Sequence, residues 1–154
     1  MSHLQSLSIA ARLWAWAAVL RILKRTVPFE ALVRLVHRRP GVLRSSPDFE
    51  RQLETFMDRK GRFPFRPPAN CLERSLGAYR MLCAAKASPE LVVGIRRIEG
   101  RRVEGHVWVT AHGRSLAERD ADLATYTAVA RFDGDGHRHP KTQSAADLAR
   151  IPLR

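Results

Sequence analysis

The chain has 154 residues, 45% of them hydrophobic and 27% charged, which suits one globular domain with one sizeable core. Its 27 Lys/Arg against 15 Asp/Glu give a formal net charge of +12. That excess suggests an acidic partner, whether nucleic acid, anionic lipid or an acidic peptide, or else a solvated basic surface, and it does not choose among them.

The charge is spread, with 12 Lys/Arg against 5 Asp/Glu in residues 1–62 and 15 against 10 in residues 63–154. Leu13-Trp14-Ala15-Trp16-Ala17-Ala18-Val19-Leu20 is strongly apolar, but Arg12 and Arg21 bound it far below the ~20 residues a membrane span needs. No basic n-region precedes it and no clear cleavage site follows. The expectation is a buried or interfacial helix, with binding to a membrane surface as an alternative because basic residues flank Trp14 and Trp16.

Residues 4–25 place Ile9, Leu13, Trp16, Leu20 and Leu23 on one helical stripe, and Val27-Pro28 interrupts it. Phe29, Leu32, Val33 and Val36 predict a second helix, with His37-Arg38-Arg39 in its last turn and Pro40-Gly41 as its stop. Ser46 can cap a third helix, with Pro47 at its first position, Phe49, Leu53, Phe56 and Met57 on its buried face and Lys60-Gly61 at its end. Phe63-Pro64-Phe65-Arg66-Pro67-Pro68 predicts an extended connector, since each proline pushes its predecessor out of the helical region.

Asn70 with Glu73 three residues on resembles a capping box, which makes Cys71 the first residue of a fourth helix. Leu72, Leu76, Tyr79, Leu82 and Cys83 give its buried face, and Ser88-Pro89 closes it after Lys86. Cys71 and Cys83 then lie about 18 Å apart along one helix. A disulfide needs Cα atoms within about 7 Å, so a reduced, cytoplasmic protein is expected.

Leu91 to Ile95 predicts a buried strand and Glu99-Gly100 a turn. Val103 to Thr110 predicts a second strand, with Val107 and Val109 on one face and His106 and Trp108 on the other. A three-residue loop over Ala111-His112-Gly113, with Gly113 left-handed, sets Thr110 opposite Arg114 and His106 opposite Glu118 on a third strand. A two-residue loop would set His106 against Arg119. Tyr126, Val129 and Phe132 are expected on the core, Asp133 to Gly136 in a turn, and Ala145 to Ile151 in a short helix.

A thiol, an imidazole and a carboxylate thus follow one another on a helix, a strand and a strand. A helix N-terminus and a nearby imidazolium lower a thiol's pKa, and the thiolate is the nucleophile. A carboxylate fixes the imidazole's tautomer, and free N–H groups at the helix start can hold an oxyanion. Taken singly, such a cysteine is more often a small structural residue, and such a histidine a satisfied neutral side chain. Cys83 reads as a buried helix residue. His137 and His139 with Cys71 or His112 match no zinc spacing, Asp133-Gly134-Asp135-Gly136 is no EF-hand loop because its twelfth position is Ser144, and Ser75 lies in no G-x-S-x-G elbow. No metal and no cofactor is expected.

The order of residue types resembles the transglutaminase-like branch of the papain-like cysteine enzymes. More closely, Cys71-Leu72-Glu73-Arg74-Ser75-Leu76 followed by Tyr79, then Glu90 to Arg96, then Gly105-His106-Val107-Trp108-Val109 and Gly113-Arg114, resembles the stand-alone leader peptidases of lasso-peptide biosynthesis. The likeness covers residues 63–118 well, and after about residue 125 it is loose. Val107 and Thr110 depart from the family's frequent Ala and Glu.

The resemblance implies an α+β fold in which a central helix bearing the cysteine packs on a small antiparallel sheet. An N-terminal helical segment over 1–62 would pack on a core over 63–154 within one compact unit. It implies Cys71 as nucleophile, His106 as general base and then acid, and Glu118 as the orienting acid, with Asp120 as the alternative and Asn70 as a cap beside the oxyanion site. It implies removal of the leader from a ribosomally made precursor peptide, before a separate ATP-dependent cyclase closes the ring. Because residues 1–62 read as helices, leader recognition is assigned to a separate partner protein. The alternatives are another Cys-His acyl-transfer enzyme of the same fold, an amidase or transglutaminase, and a non-enzymatic basic module for nucleic acid or membrane; no nucleic acid is expected.

Overall fold

The structure is a computed structural model, and it describes residues 3–37, 45–58, 70–98 and 102–139. Helix α1 spans His3–Leu23, α2 Phe29–Val36, α3 Pro47–Asp58 and α4 Cys71–Ala84. Strand β1 spans Glu90–Arg97, β2 Val103–Ala111, β3 Arg114–Ser115 and β4 Thr127–Phe132, with a single helical turn α5 at Asp120–Leu123. The expected stops at Pro40-Gly41 and Lys60-Gly61, the proline-rich connector, the Glu99-Gly100 turn and the helix over 145–151 lie outside the described residues.

The four strands form one antiparallel sheet in the order β3-β2-β1-β4, with β1 and β2 in register from Glu90↔Thr110 to Arg97↔Val103. The face bearing Leu91, Val107, Val109 and Phe132 joins Leu76, Tyr79 and Leu82 of α4 in the apolar core. The stripes read from sequence supply most of the rest. Ile9, Leu13 and Leu20 of α1, Leu32, Val33 and Val36 of α2, and Phe49, Leu53 and Met57 of α3 are all buried, with Trp16, Leu23, Phe29 and Phe56 packed against them. Tyr126 departs from the expectation: it stands on the other face of the sheet, beside His106.

Helix α4 is fastened to every other helix that precedes it. Glu73 is ion-paired with Lys24 Nζ at 2.6 Å and Arg21 Nη2 at 3.4 Å, from α1 and its C-terminal end. Arg80 lies over the Trp16 ring at 3.9 Å and donates to the Val36 carbonyl at 3.0 Å, joining α1 and α2. Arg74 donates to the Met57 carbonyl at 3.1 Å, joining α3. From the second half of α4 the Tyr79 hydroxyl donates to the Asp133 carbonyl.

The β2–β3 register differs from the expected one. Thr110 pairs with Ser115 and Ala111 with Arg114, so the loop has two residues, His112 and Gly113. Both are left-handed, at φ 51 and φ 76. This is the backbone of a type I′ turn, whose twist matches that of the flanking strands, and histidine is among the residues that tolerate a left-handed position. The His112 ring is tied to Glu50 of α3 at 3.2 Å.

Candidate active site

The N-terminus of α4 is closed as the sequence suggested. Asn70 Oδ1 accepts from the Glu73 N–H at 2.9 Å, and Glu73 Oε2 accepts from the Asn70 N–H at 3.2 Å. Cys71 is the first helical residue, half-buried and a free thiol. The cap leaves the N–H groups of Cys71 and Leu72 without an acceptor among the described residues. Glu73 is 2% exposed. Burial pushes its carboxyl pKa up, but the bonds from Lys24, Arg21 and the Asn70 N–H outweigh that and hold it below the ordinary carboxylate value.

One turn along α4, the Ser75 hydroxyl donates to the Val107 carbonyl at 2.8 Å. Val109 gives its carbonyl to Leu116 on the β3 side, and in an antiparallel strand the carbonyl two residues away points the same way. Because β3 ends at Ser115, the Val107 carbonyl faces an open edge, and Ser75 fills the vacant ladder position. Cys71 precedes Ser75 by four residues on the same helix face, so the thiol stands about 6 Å from this anchor along the axis.

His106 neighbours Val107 on β2. Its Nε2 lies 2.6 Å from Glu118 Oε2, and the two side chains are 18% and 21% exposed, which shelters the pair from solvent screening. The ring nitrogen left over is Nδ1. The imidazole packs against the Tyr126 ring, with centroids 5.1 Å apart, and the Trp108 ring at 6.0 Å, and those two rings lie 6.3 Å from each other. Gly94, paired with His106 across the ladder, makes room for them: a Cβ there would stand 2.6 Å from Trp108 and 3.0 Å from Tyr126.

Glu118 does not reach His106 from a third strand. Extending the ladder from Ala111↔Arg114 would set Arg119 opposite His106. The chain leaves the sheet after Ser115, and Ala117 adopts a left-handed φ of 61, which brings Glu118 back over β2. Asp120, the alternative acid, is exposed at the start of α5.

A cleft of about 510 Å³ opens at this junction, lined by His106, Glu118, Ser75 and Arg74, with Met57, Ala117, Arg119 and Asp122 completing it. Cys71 is not among its lining residues but lies a turn of α4 away from Arg74 and Ser75, which are. A second cavity of about 490 Å³ lies at the other end of α4 and contains Cys83. Burial pushes the Cys83 thiol up to about 12, which rules it out as a thiolate nucleophile near neutral pH. In the adjoining loop Asp133, Asp135 and His137 bring one ligand atom each within 4.8 Å of one another, and neither Cys71 nor His112 belongs to this group.

Sequence reasoning missed the Ser75 anchor, the Glu73 ion pairs and the aromatic frame of His106. Only the last left a signal: Trp108 is two residues from His106 in the strand alternation, and Gly94 interrupts the apolar run of β1.

An α+β fold with a cysteine at the start of the central helix, a histidine on the sheet beside it and a carboxylate reaching that histidine from the following loop defines a papain-like arrangement. The sequence model of the transglutaminase-like superfamily matches residues 7–131, and the chain belongs to that superfamily. The match runs through the N-terminal helices as well as the sheet. Comparison with curated proteins and with solved structures gave no match. Membership carries Cys-His acyl-transfer or peptidase chemistry as the class of activity.

Proposed function

We propose that this chain is a cysteine peptidase that cleaves the leader from a ribosomally synthesised lasso-peptide precursor. The observation that carries the peptidase reading is the His106–Glu118 contact at 2.6 Å, beside the edge of β2 on which Ser75 anchors the first turns of α4. In this reading His106 Nδ1 takes the proton of Cys71, and Glu118 stabilises the resulting imidazolium at Nε2. The thiolate adds to the scissile carbonyl. The oxyanion forms against the N–H groups of Cys71 and Leu72, in the field of the helix dipole. His106 returns its proton to the leaving amine, and a thioester remains. Water, deprotonated by His106, then releases the acid and regenerates the thiol.

The substrate assignment rests on the motif likeness around Cys71, Val93-Gly94 and His106. It implies a precursor peptide, a separate leader-recognition protein and an ATP-dependent lasso cyclase as partners in the cytoplasm. No helix among the described residues is long and apolar enough to cross a membrane. The test is incubation of the chain with a lasso-precursor peptide, with and without a leader-recognition protein, followed by mass spectrometry in isotopically labelled water. Label in the new carboxyl group, lost in a folded Cys71→Ala variant, supports the reading. Cleavage that survives Cys71→Ala overturns it, and a product joined to an added amine in place of water assigns the chain to transferases of the same fold. A salt-sensitive affinity for nucleic acid or vesicles that is indifferent to Cys71, with no cleavage, assigns it to the binding-module alternative.

A further inference from the structure

The cleft beside His106 is lined by two guanidinium groups, Arg74 and Arg119, that form no ion pair among the described residues. Arg74 donates Nη1 to the Met57 carbonyl, while its Nε is buried and has no acceptor among the described residues. A buried N–H without a partner costs about 1–3 kcal/mol, and the guanidinium that carries it lines the cleft. Arg119 lines the same cleft, is exposed, and has no ion pair among the described residues. Two carboxylates also line it. Glu118 is taken up by His106, and Asp122 lies within electrostatic reach of Arg96. Arg74 is three residues from Cys71, on the adjoining turn of α4, so whatever it holds lies close to the thiol.

We infer that Arg74 and Arg119 form a carboxylate-binding subsite, which selects peptide substrates with an acidic side chain next to the bond attacked by Cys71. Arg74 supplies the directed N–H donors from a partly buried, fixed position, and a planar guanidinium suits a carboxylate better than a point charge does. Arg119 supplies charge at the mouth, and the chain's net charge of +12 steers acidic peptides toward it. This rests on the proposed role of Cys71 as the reacting thiol.

The experiment needs no natural substrate. The rate of Cys71 alkylation by iodoacetate is measured against that by iodoacetamide in the full chain, with N-acetylcysteine as reference. A higher iodoacetate preference than the reference thiol is expected. It should fall about tenfold in Arg74→Gln and severalfold in Arg119→Glu, and stay unchanged in Arg34→Glu, an exposed charge on α2. A blocked tripeptide with a central glutamate should slow iodoacetamide labelling more than its glutamine counterpart. Arg119 is exposed, so its variant keeps the test open if Arg74→Gln fails to fold. A preference unaltered by Arg119→Glu and Arg74→Gln, or equal protection by the two tripeptides, overturns the subsite. Labelling by both reagents no faster than the reference thiol counts instead against the role of Cys71, because the ratio still reads the arginines.

Discussion

Ser75 Oγ hydrogen-bonds the Val107 carbonyl at 2.8 Å, and this bond sets the first turns of α4 against the edge of the strand that carries His106. Ser75 is 1% exposed, so its removal leaves a buried carbonyl unpaired. Ser75→Ala should lower stability by about 1–3 kcal/mol, read as a shift in the urea midpoint at unchanged slope. Cysteine alkylation and peptidase activity should fall further than stability does, since the thiol's position depends on this anchor. Threonine at 75 should restore part of both.

The His106–Glu118 pair separates charge from shape. Glu118→Gln keeps the size and a hydrogen bond but cannot stabilise an imidazolium, so kcat should fall by roughly 10²–10⁴ with stability nearly unchanged. Asp120→Asn, on the exposed start of α5, should stay within about twofold of wild type. Equal losses in the two variants would mean that the orienting acid is not Glu118.

Ala117 decides whether Glu118 arrives at all. A left-handed φ of 61 costs an alanine roughly 1 kcal/mol that glycine does not incur. Ala117→Gly should leave activity intact and stability equal or slightly higher. Ala117→Val, β-branched, should lose both, with thermal melts and peptide turnover as the measurements.

Glu73 should make the fold acid-sensitive. Its carboxyl is held below its unfolded value, so its contribution is complete above about pH 4.3 and is lost as pH falls through the depressed folded value. Urea midpoints should therefore drop on acidification below about pH 4.3 in the wild type. In Glu73→Gln the midpoint near neutral pH should be lower, because Lys24 and Arg21 lose this carboxylate, and the curve should be flatter and approach the wild type in acid.

Gly94 is a position without room. An alanine Cβ would meet two Trp108 ring atoms at 2.6 and 2.8 Å, and Trp108 is 6% exposed and cannot simply swing away. Gly94→Ala should cost about 1–3 kcal/mol, change the near-UV circular dichroism, and reduce activity by displacing His106 from its aromatic frame.

The helices were legible because their signals are local. The stripe Ile9, Leu13, Leu20, the Ser46 cap, which accepts from the Phe49 N–H at 3.1 Å, and the Asn70–Glu73 box each need only neighbours within a few residues. Cys71 at a helix start and His106 opposite the Val107 face follow from the same periodicities. The β2–β3 register was misread because Gly113 suggested one left-handed residue, whereas His112 takes a second. The proximity of Glu118 to His106 was expected, yet the ladder that would have produced it does not exist.

The sequence by itself determined the order of elements, the faces they bury and a thiol at a capped helix start, because hydrogen bonding and amphipathicity over three to four residues fix these. Only the tertiary structure decided that Ser75 closes the free edge of β2, that Glu73 is buried among cations of the α1 segment, and that a left-handed Ala117 carries Glu118 to His106. These depend on which turn closes a hairpin and which groups meet across 32 to 52 residues of chain, and no periodic pattern encodes either.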